Sequence, residues 1–228
     1  DKLILANGVY NLKDDSFTNA FDKEIHARVR HPIVYDPAAT CPMFKGFVSH
    51  IAGEENLDFV FEWFGYNLYR DYSPIQKMLF LWGKGGTGKS TLSNLLAQFV
   101  GVENTSAVTL KHLMTERFAP ANLHGKVATF DTDAKPQYLA DGAVLKMLTG
   151  EDQMYADRKN REPITFYNYA KLTFAMNELP PMRDFSGGLK RRMMILKIDK
   201  VLGPEIKKLF PLDVIQKELP GIFNEAMI

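Results

Sequence analysis

Hydrophobic positions in the first seventy residues predict a short β-hairpin, then an irregular segment, and then two helices. The segment "LILANGVYNL" places Asn7-Gly8 between two apolar runs, which predicts a β-hairpin. Residues 14–40 show no regular period, whereas residues 42–52 and 54–70 predict helices. The second helix has an apolar face, interpreted as core packing, of Leu57, Val60, Phe61, Phe64 and Leu68. We therefore predict an N-terminal region over residues 1–72, with a hairpin followed by a small, mainly helical (collar-like) domain.

From residue 77 onward, short apolar runs alternate with helical patterns. Helices are predicted at residues 89–100 and 138–148. Strands are predicted at residues 77–82, 126–131, 170–177 and 191–199, and residues 153–167 predict two strands around a charged turn. This alternation predicts an α/β fold with a mostly parallel sheet and helices on its faces. We assign it to a second domain, residues 73–228, and expect the chain to be a fragment of a longer protein, truncated at its C-terminal end.

Composition limits the class of protein. The chain has 228 residues, of which 46% are hydrophobic and 24% charged, as expected of a soluble globular domain. Cys41 is the single cysteine, so the chain has neither an internal disulfide nor a cysteine-rich zinc site. No apolar run reaches the ~18 residues of a membrane span, and we expect no membrane partner. A reducing cytoplasm is compatible with this cysteine usage.

Charge is balanced overall but uneven along the chain. The net charge is +1, which gives no general basic field for nucleic acid. A late stretch is nevertheless rich in basic residues, namely Arg183, Lys190, Arg191, Arg192, Lys197, Lys200, Lys207 and Lys208. A local basic surface of this kind can bind a polyanion.

The strongest motif is Gly83 to Ser90, G-K-G-G-T-G-K-S, a full match to the phosphate loop G-x-x-x-x-G-K-[ST]. Glycines let successive backbone N–H groups face an anion, and the following helix directs its positive end to the same point. Lys89 would bind the β- and γ-phosphates of ATP, and Ser90 would supply an oxygen to Mg²⁺. A chance match is expected in roughly one per cent of chains of this length. The predicted nucleotide-binding set is Gly83, Gly85, Gly86, Thr87, Gly88, Lys89, Ser90 and Thr91.

Polar residues end two of the predicted strands. "KVATFDTD" places Asp131 at the carboxyl end of a strand and Asp133 just beyond it, where α/β sheets hold their ligands. Asp131 would hold Mg²⁺, and Asp133 would polarise the attacking water. "FAMNELP" places Asn177 where its amide would orient that water against the γ-phosphate. The alternative for each is an ordinary turn residue.

Basic residues mark two further segments. Arg191 and Arg192 begin the last strand, where an arginine would stabilise charge on the transferred phosphate, often from a neighbouring subunit. Arg158, Lys159 and Arg161 lie at the predicted hairpin tip, where they would meet a phosphate backbone. The nearby aromatic residues are Tyr155, Phe166, Tyr167 and Tyr169. They would either stack on bases or pack internally, and strand alternation favours internal packing for most of them. For both segments the alternative is a solvated basic surface.

The order of these motifs along the chain resembles that in superfamily 3 helicases. The segments "GYNLYRDYSPIQKMLFLWGKGGTGKST", "LHGKVATFDTD", "VLKMLTGEDQMYADRKNREPITFYNYAKLTFAMNELP" and "GGLKRRMMIL" resemble the helicase part of phage- and plasmid-type primase–helicases, relatives of the poxvirus primase–helicase. The likeness runs from about residue 40 to the end of the chain. It implies an AAA+-type P-loop fold and a homo-oligomeric ring, expected to be a hexamer, around single-stranded DNA.

The resemblance also implies roles for individual residues. Lys89 and Ser90 fall in the phosphate loop, Asp131 and Asp133 in the acidic motif, and Asn177 at the sensor position. Arg192 matches the arginine finger better than Arg191 does. Arg158, Lys159 and Arg161 match a hairpin that projects into the ring channel and touches DNA. Thr132 departs from the adjacent acidic residues of many relatives, which leaves the roles of the two aspartates open.

The resulting hypothesis is an ATP- and Mg²⁺-dependent DNA helicase domain of a replication protein from a mobile element, in the cytoplasm of a bacterial or archaeal host. The resemblance also implies a primase domain upstream. One alternative is a nucleotide-gated DNA-binding or assembly ATPase that does not unwind DNA. Another is a small-molecule P-loop kinase, although the sequence shows neither a lid nor an acceptor pocket.

Overall fold

The computed structural model describes residues 2–20, 27–136, 142–179 and 187–228. At the N-terminus, three strands form a small antiparallel sheet: β1 (Lys2–Leu5), β2 (Gly8–Asn11) and β3 (Ser16–Thr18). The first turn consists of Ala6 and Asn7, because Leu5 pairs with Gly8. It thus lies one residue earlier than the Asn7-Gly8 prediction. The Asn7 side chain is instead used at longer range, where its amide exchanges hydrogen bonds of 2.8 and 2.9 Å with the backbone of Tyr35.

Two helices follow, as predicted. They are α1 (Pro42–Ala52) and α2 (Leu57–Leu68), separated by one short 3₁₀ turn at Glu54–Asn56. Both bury an aromatic face, in which the ring of Phe44 lies 5.2 Å from that of Phe64, which in turn lies 5.2 Å from that of Phe99. Phe99 belongs to the helix after the phosphate loop, so these helices are packed directly onto the second part of the chain.

The central sheet consists of five parallel strands among the described residues. They are β4 (Met78–Trp82), β5 (Thr105–Ser106), β6 (Ala128–Asp131), β9 (Lys171–Met176) and β10 (Met193–Lys197). Their order in the sheet is β10-β4-β9-β6-β5. The strands β4 and β9 are central and almost completely buried, as continuous apolar runs in parallel sheets are. Four of these strands confirm the sequence prediction, and the two-residue edge strand β5 was not predicted.

Alternating side chains of the sheet divide the interior into two hydrophobic clusters. In β4, Leu79 and Leu81 face a cluster with α1, α2, α3 (Lys89–Val100) and α9 (Leu219–Ala226). Met78 and Phe80 face the other cluster, with α4 (Leu110–Thr115) and α5 (Ala143–Leu148). This is the two-residue period of a strand buried on both faces. The fold is therefore an α/β P-loop fold of the AAA+ type, with helices on both faces of a parallel sheet.

A separate antiparallel hairpin projects from the second cluster. It consists of β7 (Gln153–Arg158) and β8 (Arg161–Tyr167), as the sequence predicts, and Lys159 and Asn160 form its tip. Asn160 has a φ of +55°, a left-handed conformation that asparagine tolerates in tight turns.

Short helices complete the chain. They are α6 (Gly187–Lys190), α7 (Pro204–Leu209) and α8 (Leu212–Ile215), with further 3₁₀ turns at Val102–Asn104, Pro120–Leu123 and Gln216–Glu218. Of the predicted helix 138–148, residues 138–141 lie outside the described residues, as does Arg183. The proposed boundary between residues 72 and 73 stays a prediction. Within the described ranges, no helix combines the length and apolar character needed to cross a membrane.

Candidate functional site

The phosphate-loop sequence forms the connection between β4 and α3. β4 ends at Trp82, and α3 begins at Lys89. Gly86 and Gly88 have φ values of +76° and +100°, which favour residues without a Cβ atom. At Gly83 a Cβ atom would collide with the carbonyl oxygen of Ile198. Glycine at these positions therefore allows both the turn of the loop and its close contact with the chain after β10.

Lys89 is held inside this loop. Its ammonium group donates to the carbonyl oxygens of Gly83 and Lys84, the latter at 2.7 Å, and to Oδ1 of Asn177 at 3.2 Å. Burial lowers the pKa of Lys89, and the nearby carboxylate of Asp133 acts in the opposite direction. Lys89 and Asn177 are 88 positions apart in the chain. The contact between them forms because the parallel strands β4 and β9 are neighbours and end at the same edge of the sheet.

The loop opens into a pocket of about 380 Å³. Its walls are the loop and the start of α3 (residues 85–91), Thr132, Asp133, Asn177, Leu202 and Lys207. Ser90 and Asp133 are both exposed here. Among the described residues, no group of three or more His, Cys, Asp or Glu side chains forms a metal site. A hydroxyl and a single carboxylate fit Mg²⁺ that arrives with phosphates, since this ion keeps few protein ligands.

Asp131 was predicted to lie at this pocket, but the structure places its side chain elsewhere. Its side chain is 9% exposed and is not part of the pocket wall. One carboxylate oxygen accepts from the backbone N–H of Leu110 at 2.9 Å, and the other from that of Asp133 at 3.1 Å. The carboxylate thus joins the first turn of α4 to the end of β6. The structure brings Asp133 rather than Asp131 to the phosphate loop, and a metal-binding role for Asp131 stays a prediction.

Asp133 has the opposite environment. Its side chain is 70% exposed and pairs with Lys135 at 2.9 Å. The following residue is anchored, since the backbone N–H of Ala134 donates to Ala175 of β9 at 2.8 Å. This fixes the backbone beside Asp133 and leaves its carboxylate at the pocket.

The two arginines lie at the far edge of the sheet. Met193 pairs with Met78, and Lys197 with Trp82, so Arg192 and the phosphate loop are separated by the length of β4, about 13 Å. Arg192 is 8% exposed and donates through its Nη1 atom to Gly188 at 2.9 Å, while its buried Nε has no partner among the described residues. Burial lowers the pKa of its guanidinium.

Arg191, by contrast, is exposed, and its Nη2 atom lies 3.3 Å from Oε1 of Gln76. Neither arginine is near the phosphate loop of its own chain. Of the two, Arg191 is the one that is accessible to a neighbouring molecule, which differs from the preference of the sequence motif for Arg192.

The hairpin presents basic and aromatic side chains together. Lys159 and Arg161 are exposed, while Arg158 is partly buried, and its Nε donates to the backbone of Glu162 at 2.8 Å. Tyr155 and Tyr167 are 67% and 62% exposed on one face of the hairpin, so the internal packing predicted for most of these aromatic residues is wrong for these two. Phe166 is buried on the other face, as the strand alternation predicts.

Sequence reasoning missed three residues of the pocket wall: Thr132, Leu202 and Lys207. Lys207 was noted in the basic stretch but not assigned to the pocket. It lies 118 positions after Lys89 in the sequence, and no spacing rule joins these two lysines. The chain after β10 has to fold back over the loop to bring them together.

Two protein families match parts of the chain. A family of unknown function (DUF5906) matches residues 81–192, which include the phosphate loop, the hairpin and Arg192. The family described as D5 N terminal like matches residues 1–53, which include the N-terminal sheet and α1.

Solved structures match more of the fold. Two structures of the NrS-1 C-terminal region, both apo forms, have TM-scores of 0.66 and 0.62, with 18% and 16% sequence identity. They cover 85% and 86% of this chain, and 47% and 46% of their own. JCV helicase bound to a small molecule has a TM-score of 0.50 at 16% identity, covering 82% of this chain and 54% of that one. This chain thus spans about half the length of the structures it matches.

These matches agree with the resemblance that the motifs predict. In its fold the chain is similar to the NrS-1 C-terminal region and to JCV helicase, and its first 53 residues match the D5 N terminal like family. At identities below 20%, the structural likeness shows the fold, and the activity has to be argued from the site.

Proposed function

We propose that this chain is the ATP-hydrolysing motor domain of a DNA helicase in a replication protein of the primase–helicase type, from a phage, plasmid or other mobile element. The observation that carries the proposal is the convergence of Lys89, Asn177 and Asp133 at one pocket from three separate parts of the chain. A glycine-rich turn without a ligand would require none of these contacts. A phosphate site with a water-orienting amide and a carboxylate requires all of them.

In this proposal the phosphate-loop residues bind ATP. Backbone N–H groups of the loop and the ammonium of Lys89 bind the phosphates, and Lys89 exchanges its carbonyl partners for phosphate oxygens. Ser90 and Asp133 are the side chains that would hold Mg²⁺, which neutralises phosphate charge when it is bound. Asp133 and Asn177 orient water toward the terminal phosphate. The exposed position of Asp133 supports giving it the role first predicted for Asp131.

The arginine pair would act on a neighbouring subunit. Each arginine is separated from its own phosphate loop by the length of a strand, which supports a contribution in trans. In a closed ring of identical subunits, expected to be a hexamer, each subunit would place its arginine at the phosphate loop of the next subunit. Arg191 is accessible as it stands, whereas Arg192 would have to leave Gly188 and the buried position of its side chain.

The β7–β8 hairpin would carry single-stranded DNA. Lys159, Arg161 and Arg158 would contact the phosphate backbone, and the exposed rings of Tyr155 and Tyr167 would stack on bases. Movement of this hairpin with the nucleotide state would draw one strand through the ring. A priming domain elsewhere in the full-length protein is part of the same proposal.

The test is the ATPase rate with and without single-stranded DNA. Wild type should be stimulated by DNA, and Lys89→Ala should be inactive. The informative sample is an equal mixture of Lys89→Ala with Arg191→Ala or Arg192→Ala. A Lys89→Ala subunit can lend its arginine to an intact phosphate loop next to it, so the mixture should regain part of the activity that each variant lacks. Lys190→Ala is the matched control for loss of an exposed positive charge in the same segment.

Two results would count against this proposal. If DNA leaves the rate unchanged and both arginine variants hydrolyse ATP like wild type, the ring motor is excluded. If wild type neither binds nor hydrolyses ATP, the nucleotide assignment fails as well.

A second candidate is a nucleotide-gated DNA-binding or assembly ATPase that does not unwind DNA. Both carboxylate oxygens of Asp131 accept backbone N–H groups, so only Asp133 of the acidic motif is left at the pocket. A single carboxylate at the pocket favours this second candidate, because it is compatible with slow ATP hydrolysis. Strand displacement with the full-length protein separates the two, since a switch would bind DNA and ATP without displacing a strand. A small-molecule kinase is a weaker alternative, which leaves the arginine pair and the hairpin unexplained.

A further inference from the structure

The chain after β10 is fastened to the phosphate loop. We call residues 198–207 the strap. Its first residue, Ile198, donates from its backbone N–H to Trp82 at 2.7 Å, which extends the ladder between β10 and β4. Four residues later, the N–H of Leu202 donates to the carbonyl oxygen of Gly86 at 2.8 Å. The strap is thus hydrogen-bonded to the residue before the phosphate loop and to the middle of the loop.

Apolar contacts fix the strap in the same place. A Cβ atom at Gly88 would lie 2.9 Å from Cδ1 of Leu202 and 3.3 Å from Cγ2 of Ile51. Beyond the strap, the ring of Phe210 lies 6.4 Å from that of Phe47 and 6.0 Å from that of His50, both on α1. The helix α7, which lies between Leu202 and Phe210, is therefore held beside the pocket by contacts on both sides.

This placement brings a second lysine to the pocket. Lys207, on α7, forms part of the pocket wall and is exposed. Within the described parts of the chain it has neither a hydrogen bond through its side chain nor an ion pair. The adjacent Lys208 differs, because its Nζ lies 3.1 Å from Oε1 of Glu205 and it is not part of the wall. Two neighbouring lysines on one short helix thus have different surroundings.

We propose that Lys207 binds the phosphate chain of the nucleotide from within the same subunit, as a second cation beside Lys89. This inference rests on the proposed nucleotide binding. A polyphosphate carries more charge than Lys89 alone neutralises, and Lys89 already lies among three oxygens of the protein. The flexible stem of a lysine lets its ammonium group reach a phosphate oxygen as a point charge. The hydrogen bond from Leu202 to Gly86 joins the strap that carries Lys207 directly to the phosphate loop.

The test is a titration of a fluorescent ATP analogue with Mg²⁺ into the 228-residue chain. We compare wild type, Lys207→Ala, Lys207→Arg and Lys208→Ala, the last being a matched loss of charge one position away. Lys207→Ala should weaken binding by about tenfold, as expected for loss of one charge-assisted hydrogen bond. Lys207→Arg should retain most of the affinity. Lys208→Ala should bind within about twofold of wild type, because exposed surface charges contribute little.

Melting temperatures without nucleotide check that each variant is folded. The inference is overturned if wild type binds the analogue and Lys207→Ala binds it equally well. It is also overturned if Lys208→Ala loses as much affinity as Lys207→Ala, since that would be a general effect of charge. If wild type does not bind the analogue at all, the proposed nucleotide function fails, which is a distinct result from failure of Lys207 alone.

Discussion

Replacement of Asp131 and Asp133 by asparagine, one at a time, should separate stability from catalysis. Asp131 is the last residue of β6 and Asp133 lies two positions later, yet Asp131 is 9% exposed and the side chain of Asp133 is 70% exposed. Asp131 accepts two backbone N–H groups, at 2.9 and 3.1 Å. Asp133 faces the pocket and pairs with Lys135. We predict that Asp131→Asn mainly destabilises the fold and that Asp133→Asn mainly slows ATP hydrolysis.

The expected magnitudes follow from these contacts. An asparagine at position 131 keeps one acceptor oxygen and turns an NH₂ group toward the other N–H donor. Loss of one hydrogen bond to a charged, buried acceptor costs about 1.5–3 kcal/mol, a large part of the ~5–15 kcal/mol by which typical domains are stable. Asp133→Asn breaks an exposed ion pair, which is worth at most about 1 kcal/mol. If Asp133 polarises the attacking water, its loss should lower the ATPase rate by at least about 100-fold.

Urea unfolding followed by tryptophan fluorescence measures the first quantity, and steady-state ATPase at saturating ATP and Mg²⁺ measures the second. Asp131→Ala and Asp133→Ala repeat both measurements with the acceptor removed entirely. The reasoning would be refuted if Asp131→Asn unfolds at the wild-type urea concentration while it abolishes Mg²⁺-dependent ATP binding. That result would make Asp131 the metal ligand, as the sequence motif alone predicts. Full ATPase activity of Asp133→Asn would equally contradict our assignment.

Three further predictions concern other parts of the fold. Lys171 is completely buried and donates to the carbonyl oxygens of Tyr69, Asp71 and Tyr169 at 2.7, 2.7 and 3.1 Å. Lys171→Met should therefore lower the free energy of unfolding by about 3 kcal/mol, because these carbonyls lose their donor, and an unchanged urea midpoint would contradict this. Burial lowers the pKa of His31 to about 4, while its Nδ1 lies 2.9 Å from the carbonyl oxygen of Val100. The unfolded chain thus takes up a proton below about pH 6.5 that the folded chain takes up only near pH 4, so stability should fall by about 3 kcal/mol as pH drops through this window. In His31→Gln, the stability should no longer show this fall at low pH. An equal pH dependence of stability in both proteins would refute the role of His31. Finally, Tyr155→Ala and Tyr167→Ala should each weaken binding of single-stranded DNA by about 1–3 kcal/mol in fluorescence anisotropy, whereas wild-type affinity in the double variant would show that these rings do not stack on bases.

Elements with a strong local signal were predicted well. The helix at residues 89–100 has the predicted bounds, because its apolar residues Leu92, Leu95, Leu96 and Phe99 follow the helical period within one segment. The central strands β4 and β9 are visible as continuous apolar runs. The strand β5 was missed because two residues carry no periodicity. The hairpin at the N-terminus was correct in type but shifted by one residue, since the side chain of Asn7 binds Tyr35 rather than serving the turn predicted from Asn7-Gly8.

The candidate site likewise combines features that the local sequence predicts with features that only tertiary packing determines. The glycine-rich turn of the phosphate-loop motif could be predicted from consecutive residues, because a turn between a strand and a helix is a local structure. Whether a side chain after a strand points to the pocket or to the interior depends on what packs against it. Asp131, the last residue of β6, contacts the start of α4, whereas Asp133, two positions later, lies at the pocket of the phosphate loop. The contact of Lys89 with Asn177 and the arrival of Lys207 at the pocket depend on the order of the strands and on the path of the chain after β10, which no local pattern encodes. Local patterns therefore predicted the glycine-rich turn between β4 and α3, and long-range packing determined which side chains face it.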